Sequence, residues 1–232
     1  MTTTVTCIKQ LFSKDPEAAV LTAANSKDPV WAIFGAAYAL LMGIFVRMFT
    51  GNALIQIMRS AMDAAGGLAN DIFGFGGGFG GGLGVPDPRM VVNLMMGPIQ
   101  MQLIFISVFL GALSIVLYAV CLKLMHVAQK IDVPFTKMLN LVAGASLLPS
   151  AAMAAAILIS FISAIAALFL VGIAGIVFYC MFYAAAKQIT PFKTSPLWVF
   201  LATLAGSFLI YFLVSHLLFR NMYTNILMGM MF

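Results

Sequence analysis

Charged side chains are scarce in this chain. Only 8% of its 232 residues are Asp, Glu, Lys or Arg, whereas 63% are hydrophobic, and the mean hydropathy is +1.08. A soluble domain needs a charged surface, and this composition provides too few charges to make one. Long apolar runs recur along most of the chain, as is typical of membrane-spanning helices. The sequence therefore predicts an all-α, polytopic membrane protein.

Residues that carry metal or acid–base chemistry are also few. The three cysteines have no metal-ligand spacing, and the two histidines, His126 and His216, are expected near opposite faces of the membrane. No acidic residue lies within a predicted span, although proton-coupled transporters and intramembrane aspartyl proteases need buried carboxylates. Ser215 and His216 are adjacent on one helix and point in different directions, so they form no catalytic dyad. We therefore expect no enzyme, no metal and no cofactor.

Five apolar segments each reach the roughly 20 residues that a helix needs to cross a bilayer. They cover residues 30–48, 99–125, 137–161, 163–186 and 197–219. A polar segment with a short helix (1–29) precedes them, an outer loop (49–98) separates the first two, and a tail (220–232) follows the last. The third and fourth spans have almost no polar linker, so they are expected to form a tight hairpin.

The tetrapeptide SKDP occurs twice, at 13–16 and at 26–29. Each copy places an Asp, which caps helix N-termini, before a Pro, which is favoured at the first helical position. The first copy is expected to begin a short helix over PEAAVLTAAN, and the second is expected to begin the first span. Helix capping is the favoured interpretation, and a functional role of the repeat is the alternative.

Positive charge predicts the orientation of the chain. With the N-terminus in the cytoplasm, eight lysines lie in cytoplasmic segments and only four arginines lie on the other side. Cytoplasmic loops carry the excess of Lys and Arg, so the distribution predicts an N-inside, C-outside topology. The net charge of +5 is spread between the spans, so no nucleic-acid partner is expected.

A glycine-rich run, DIFGFGGGFGGGLGVPDP at 71–88, lies in the outer loop. It has neither the Lys-Ser/Thr pair of a phosphate-binding loop nor a strand before it, so we reject phosphate binding. Phe73, Phe75 and Phe79 interrupt the glycines, and aromatic rings partition into the bilayer interface. The run is interpreted either as a flexible linker or as an interfacial surface for binding or assembly.

The stretch NALIQIMRSAMDAA, just before the glycine-rich run, has an amphipathic pattern. Leu54, Ile57 and Met58 share one helical face, and Gln56 and Arg59 fall on the other side. This spacing predicts an amphipathic helix that lies flat on the outer membrane surface.

Small residues mark positions where helices pack closely in lipid. They are Gly144 and Ser146 in the third span, Gly172 and Gly175 in the fourth, and Gly206 in the fifth. Pro149 is expected to kink the third span, with neighbours such as Ser146 or Ser150 bonding the freed backbone groups. The kink serves either static packing, which we favour, or a transport cycle.

The segment VPFTKMLNLVAGASLLPSAAMAAAIL carries a family resemblance. The matching positions are Phe135, Leu139, Gly144, Ser146, Leu148 and Pro149. With five spans and an N-terminal helix begun by LFSKDPEAA, the chain resembles bacterial Yip-domain membrane proteins, which are related to eukaryotic YIPF proteins of the early secretory pathway. The resemblance implies a non-enzymatic protein, since eukaryotic members bind Rab GTPases and some bacterial members are associated with ABC-type exporters. The long glycine-rich outer loop departs from the family pattern.

Two functional hypotheses follow. The leading one is an accessory or assembly partner of other membrane proteins, for example ABC-transporter subunits, in the bacterial cytoplasmic membrane, with a Golgi- or ER-type membrane as the alternative location. The second is a homo-oligomeric channel or transporter for a small or apolar solute, in which some of the 17 methionines line an adaptable path. A continuous polar or hydrated path would favour the second hypothesis.

Overall fold

A computed structural model describes residues 2–13, 16–73, 87–189 and 195–231 of the chain. The helices are α1 (Thr2–Leu11), α2 (Glu17–Ala24), α3 (Val30–Phe73), α4 (Pro88–Ala128), α5 (Phe135–Ala145), α6 (Leu147–Ser160), α7 (Ala164–Ile189) and α8 (Pro196–Met231). No strand occurs within the described ranges. The glycine-rich run at 74–86, with Phe75 and Phe79, lies outside them, and so do Lys14 and Asp15 of the first SKDP copy.

Five segments of this bundle are long and apolar enough to cross a bilayer. They are Val30–Ala64, Ile99–Ala128, Phe135–Ser160, Ala164–Gln188 and Pro196–Arg220, where the third combines α5 and α6. The prediction of an all-α membrane bundle with five spans is therefore confirmed. Which end faces the cytoplasm stays a prediction, so we name the two ends by what lies there: the α1–α2 end and the α6–α7 end.

Helices α3 and α4 form the central pair of the bundle. They share the most extensive contact, α6 packs on α3 and α7, and α8 packs mainly on α4. Two glycines allow the central pair to approach closely. A Cβ at Gly111 would lie 2.9 Å from the Cα of Ala39, and a Cβ at Gly43 would overlap the side chain of Val108. Only glycine fits where the backbones approach so closely.

The first span does not end where the sequence predicted. α3 continues without a break to Phe73, so the stretch that we expected as a separate surface helix is an extension of the span. Leu54 and Met58 pack against Val92 and Leu103 of α4. The apolar face predicted to lie on the lipid surface is therefore used in part for packing between helices, although Ile57 on that face is exposed.

Polar side chains of the α3 extension hold the short α6–α7 turn. The Asn52 amide donates to the Ser160 hydroxyl at 2.9 Å, and the Gln56 carbonyl oxygen accepts from the Ala164 backbone N–H at 3.1 Å. The first N–H groups of a helix have no partner within the helix, so Gln56 supplies an acceptor that the tight turn lacks. The bond thus connects the first span to the hairpin formed by the third and fourth.

Asn140 of α5 ties the second SKDP copy to the bundle. Its side-chain oxygen accepts from the Trp31 N–H at 2.9 Å, and its amide nitrogen donates to the carbonyls of Ser26 and Asp28 at 3.2 and 3.1 Å. Asn140 is almost fully buried, so these bonds satisfy a polar group that would be costly to leave unpaired.

The cap of α3 differs from the one expected from the sequence. We predicted that Asp28 caps α3, but its carboxylate accepts from the Thr3 hydroxyl at 3.3 Å, while Asn140 accepts from the first turn of α3. An Asp followed by a Pro does form the expected N-cap at the start of α4. There the Asp87 carboxylate accepts from the Arg89 N–H at 2.9 Å, with Pro88 at the beginning of the helix.

Candidate functional site

Pro149 interrupts the third span at its midpoint. Proline has no N–H, so the carbonyl of Ala145 cannot accept the usual helical bond from residue 149. α5 ends at Ala145 and α6 begins at Leu147, with Ser146 between them. The Ser150 N–H and hydroxyl both donate to the Ser146 carbonyl, at 3.0 and 2.7 Å. A neighbouring serine thus supports the backbone beside the interruption.

A cavity of about 270 Å³ opens beside this interruption and is lined by residues from every span. Its polar lining consists of tyrosines and serines: Tyr38, Ser114, Tyr118, Ser146, Tyr179, Ser207 and Tyr211. The remaining walls are apolar and include Met42, Met153, Phe178 and Phe208. None of the described residues that line the cavity carries a formal charge at neutral pH.

The cavity lies near the middle of the candidate spans along their length. Tyr38 is eight residues beyond the start of α3 and Tyr118 is ten residues before the end of α4, both counted from the α1–α2 end. At about 1.5 Å per residue these positions lie about 12 and 15 Å along their helices, which is close to half of the thickness of about 30 Å of a hydrocarbon core.

The hydroxyl groups are organised by short hydrogen bonds. The Tyr118 and Tyr179 hydroxyls lie 2.9 Å apart and share one bond across α4 and α7. The three serines donate within their own helices: Ser114 to the Gly111 carbonyl at 2.7 Å, Ser146 to Ala143 at 2.8 Å, and Ser207 to Thr203 at 2.7 Å. Such back-bonding leaves the serine oxygens as acceptors toward the cavity.

Aromatic rings fix the tyrosine pair in place. The Tyr118 ring lies 5.9 Å from that of Phe178 and 6.2 Å from that of Tyr179, with tilted and edge-on geometries. Phe178 in turn stacks on Phe182 with centroids 6.0 Å apart. These are the distances and arrangements that aromatic pairs prefer, so the rings of α4 and α7 pack against one another at the cavity wall.

Apolar clusters lie on both sides of the cavity along the membrane normal. Toward the α1–α2 end, the buried cluster includes Phe34, Leu141 and Phe182. Toward the α6–α7 end, a second buried cluster includes Phe45 and Met153, which pack with small residues of α6 and α7. Packed hydrophobic side chains therefore lie on both sides of the polar cluster.

The small residues singled out from the sequence have different environments. A Cβ at Gly144 would lie 2.9 Å from the Ala23 Cβ, so α2 approaches α5 closely there. A Cβ at Gly206 would be 3.5 Å from the Cys121 sulfur, an ordinary contact. Among the described residues, a Cβ at Gly172 or Gly175 would meet no atom within 4 Å. These two glycines are therefore not close helix-packing positions in the described part of the chain.

Three of the singled-out residues, Ser146, Pro149 and Gly175, line the cavity. The tyrosines were missed by sequence reasoning, although a signal existed. Tyrosine in membrane proteins concentrates at the interfaces, whereas Tyr38, Tyr118, Tyr179 and Tyr211 all fall well inside their spans. Gly43 and Gly111 were missed because glycines are common throughout these spans, and only their partners distinguish the close contacts.

The two histidines lie on different helices and contact different residues. His126 is fully buried and its Nδ1 lies 2.6 Å from the Leu122 carbonyl oxygen, one turn earlier in α4. His216 stacks on Phe212 of α8 with ring centroids 6.3 Å apart. Across the residues that the structure describes, no three His, Cys, Asp or Glu side chains are grouped so as to hold a metal ion.

Comparison of the chain with protein-family models, with curated proteins and with solved structures yields no match. The resemblance to Yip-domain proteins therefore stays a hypothesis that rests on the quoted motif.

Proposed function

We propose that this integral membrane protein binds a small, mainly apolar solute within the bilayer, as a step in transporting that solute. The observation that carries the proposal is the mid-membrane cavity with its tyrosine and serine hydroxyl groups. Placing polar groups in hydrocarbon costs free energy, and polar residues inside membrane spans therefore often mark a functional site. In transport proteins, substrate sites lie near the bilayer midplane. Among the sequence-based hypotheses, the cavity favours a solute transporter, and the apolar clusters on either side argue against an open channel.

The proposal implies a carrier and not an enzyme. The described lining offers a few hydrogen-bonding groups among apolar walls, so the cavity is suited to holding a small molecule. Interrupted helices at the midplane, such as the α5–α6 span at Pro149, are a recurring part of transporter binding sites.

Native mass spectrometry tests this proposal, because it detects a bound small molecule of any identity. Gly175 lines the cavity and has open space at its Cβ position, so Gly175→Phe is expected to fill the cavity without disturbing the backbone. Gly172 lies one turn earlier on α7, also has open space, and does not line the cavity, so Gly172→Phe is the matched control.

The protein is purified from its native membrane in each form. We expect wild type and Gly172→Phe to retain the same bound small molecule and Gly175→Phe to lose it. Identical small-molecule content in all three proteins would refute solute binding in this cavity.

A second candidate function, the accessory or assembly role, is favoured by the N-terminal helices. α1 and α2 lie outside the spans. α2 approaches α5 closely at Gly144, α1 packs on α2, and Asn140 holds the connection between α2 and α3. A layer fixed in this way offers a defined surface to a partner protein. Chemical cross-linking of native membranes, followed by affinity purification, is expected to recover subunits of one defined membrane complex, and recovery of this chain alone would count against the role.

A further inference from the structure

We propose that the solute is uncharged and carries a hydroxyl or carbonyl group that hydrogen-bonds to the Tyr118–Tyr179 pair, while its apolar part lies among the aromatic rings of the cavity. This inference rests on the proposed function, because it assigns the chemical class of the molecule that the cavity holds.

The lining argues for an uncharged molecule. Its polar groups are phenols and aliphatic hydroxyls, and no described lining residue supplies a counter-charge. A charge buried in hydrocarbon without a partner carries a large desolvation penalty. The aromatic rings offer their faces to a cation, but no described lining residue supplies the carboxylate that would compensate the loss of its hydration.

The Tyr118–Tyr179 pair brings two phenol hydroxyl groups together at one point of the cavity, whereas Tyr38 and Tyr211 each contribute a single hydroxyl group, so the pair is taken as the recognition group. The hydroxyl protons of Ser114, Ser146 and Ser207 are used on backbone carbonyls. In a pair of phenols one hydroxyl donates to the other, so the pair uses one of its two protons. The second proton is a donor that a hydroxyl or carbonyl oxygen of the ligand accepts, and the pair also keeps lone pairs for a ligand hydroxyl.

The size of the cavity limits the ligand. Small-molecule pockets usually measure about 300–1,000 Å³, and this cavity of about 270 Å³ lies just below that range. It therefore accommodates a molecule with one or two rings or a short chain, and not a membrane lipid. Phe178 and Phe208 on opposite helices give the walls flat aromatic surfaces, which suit a planar apolar ligand.

Three tritiated probes of similar shape test the assignment on the full chain in detergent, with binding measured by scintillation proximity. They are naphthalene, 1-naphthol and N-methylquinolinium, which differ in bearing no polar group, a hydroxyl or a charge. Only binding that is abolished in Gly175→Phe and kept in Gly172→Phe is counted as cavity binding. This criterion excludes the probe that merely partitions into detergent, because that amount is the same for both variants. We expect 1-naphthol to bind roughly tenfold more tightly than naphthalene, the contribution of about one hydrogen bond, and N-methylquinolinium not to bind.

Tyr118→Phe combined with Tyr179→Phe is expected to erase the preference for 1-naphthol. Tyr183→Phe is the matched control, because Tyr183 is on α7, packs on Phe200 and does not line the cavity. If the double variant fails to fold, the affinity ratio in the wild-type protein decides the question alone.

The outcomes separate the two proposals. Cavity binding of naphthalene and 1-naphthol with equal affinity, or preferential binding of N-methylquinolinium, would overturn the assigned ligand class and leave solute binding intact. Failure of all three probes to bind in the cavity would overturn the assigned ligand class, and solute binding itself is refuted by identical small-molecule content of the three proteins in native mass spectrometry.

Discussion

Close contact between α2 and α5 depends on the absence of one side chain, at Gly144. Its hypothetical Cβ would lie 2.9 Å from the Ala23 Cβ and 3.3 Å from the Val20 Cα, so a methyl group there has no flexible neighbour to displace. We expect Gly144→Ala to lower the free energy of unfolding by about 1–3 kcal/mol, as overpacking usually does. Denaturation of the purified protein by SDS measures the change.

Gly172→Ala is the control for this substitution. It meets no atom within 4 Å among the described residues, so the better helix propensity of Ala should leave stability unchanged or slightly higher. Combining Gly144→Ala with Ala23→Gly removes the nearest clash and should restore part of the loss. Equal effects of Gly144→Ala and Gly172→Ala would contradict the proposed close packing of α2.

Asn140 makes three hydrogen bonds that no apolar residue can replace. In Asn140→Leu the partly buried Trp31 N–H loses its acceptor, so we expect a loss of about 1–3 kcal/mol in the free energy of unfolding. Hydrogen exchange is expected to accelerate at residues 26–31 in particular. Asn52→Leu, which breaks a bond at the α6–α7 end, is the control and should leave exchange at residues 26–31 unchanged.

At the scale of helices, the α6–α7 turn depends on a side chain from α3. Gln56 accepts from the Ala164 N–H at 3.1 Å, and its amide lies 3.5 Å from the Ser160 carbonyl. We expect Gln56→Leu to speed hydrogen exchange of the Ala164 amide at least severalfold. Without this hydrogen bond, opening of the turn costs less free energy, so the open state from which the amide exchanges is more populated. Ser60→Ala is the control, since the Ser60 hydroxyl donates within α3, to the main-chain carbonyl of Gln56 and not to its side chain. Unchanged exchange in Gln56→Leu would show that the turn is stable without α3.

Helix existence was predictable from the sequence, and helix continuity was not. Apolar length identified the five spans, because a bilayer sets the number of residues that a helix needs. The same rule ended the first span near residue 48, although α3 continues to Phe73. What extends it is tertiary packing of Leu54 and Met58 on α4, and that partner is far away in the sequence.

The cavity was predictable only in part. Pro149 and Ser146 stood out because proline removes a backbone donor, a local property that can be read from one residue. Tyr118 and Tyr179 are 61 positions apart, so their hydrogen bond depends on how α4 and α7 are placed side by side. Local patterns give no information on that placement.

At the scale of the whole molecule, positive charge is divided by residue type. Lys9, Lys27, Lys123, Lys130, Lys137 and Lys187 lie at or near the α1–α2 end of the described bundle, and Arg47, Arg59, Arg89 and Arg220 lie toward the other. Cytoplasmic segments hold the excess of positive residues, so the α1–α2 end is predicted to face the cytoplasm.

Reporter fusions in a bacterial membrane test this orientation. Alkaline phosphatase, which is active only outside the cytoplasm, is fused at the C-terminus, and green fluorescent protein is fused after Gln129 in the α4–α5 connection. We expect both reporters to be active, since three spans lie between the two fusion sites and an odd number of spans places the sites on opposite sides of the membrane. Replacing Lys9, Lys27 and Lys137 with Gln weakens the charge bias and should give a mixed population, with phosphatase activity lowered by about half or more. Loss of fluorescence from the fusion after Gln129, together with an inactive phosphatase at the C-terminus, would reverse the topology and place α1 and α2 outside the cell.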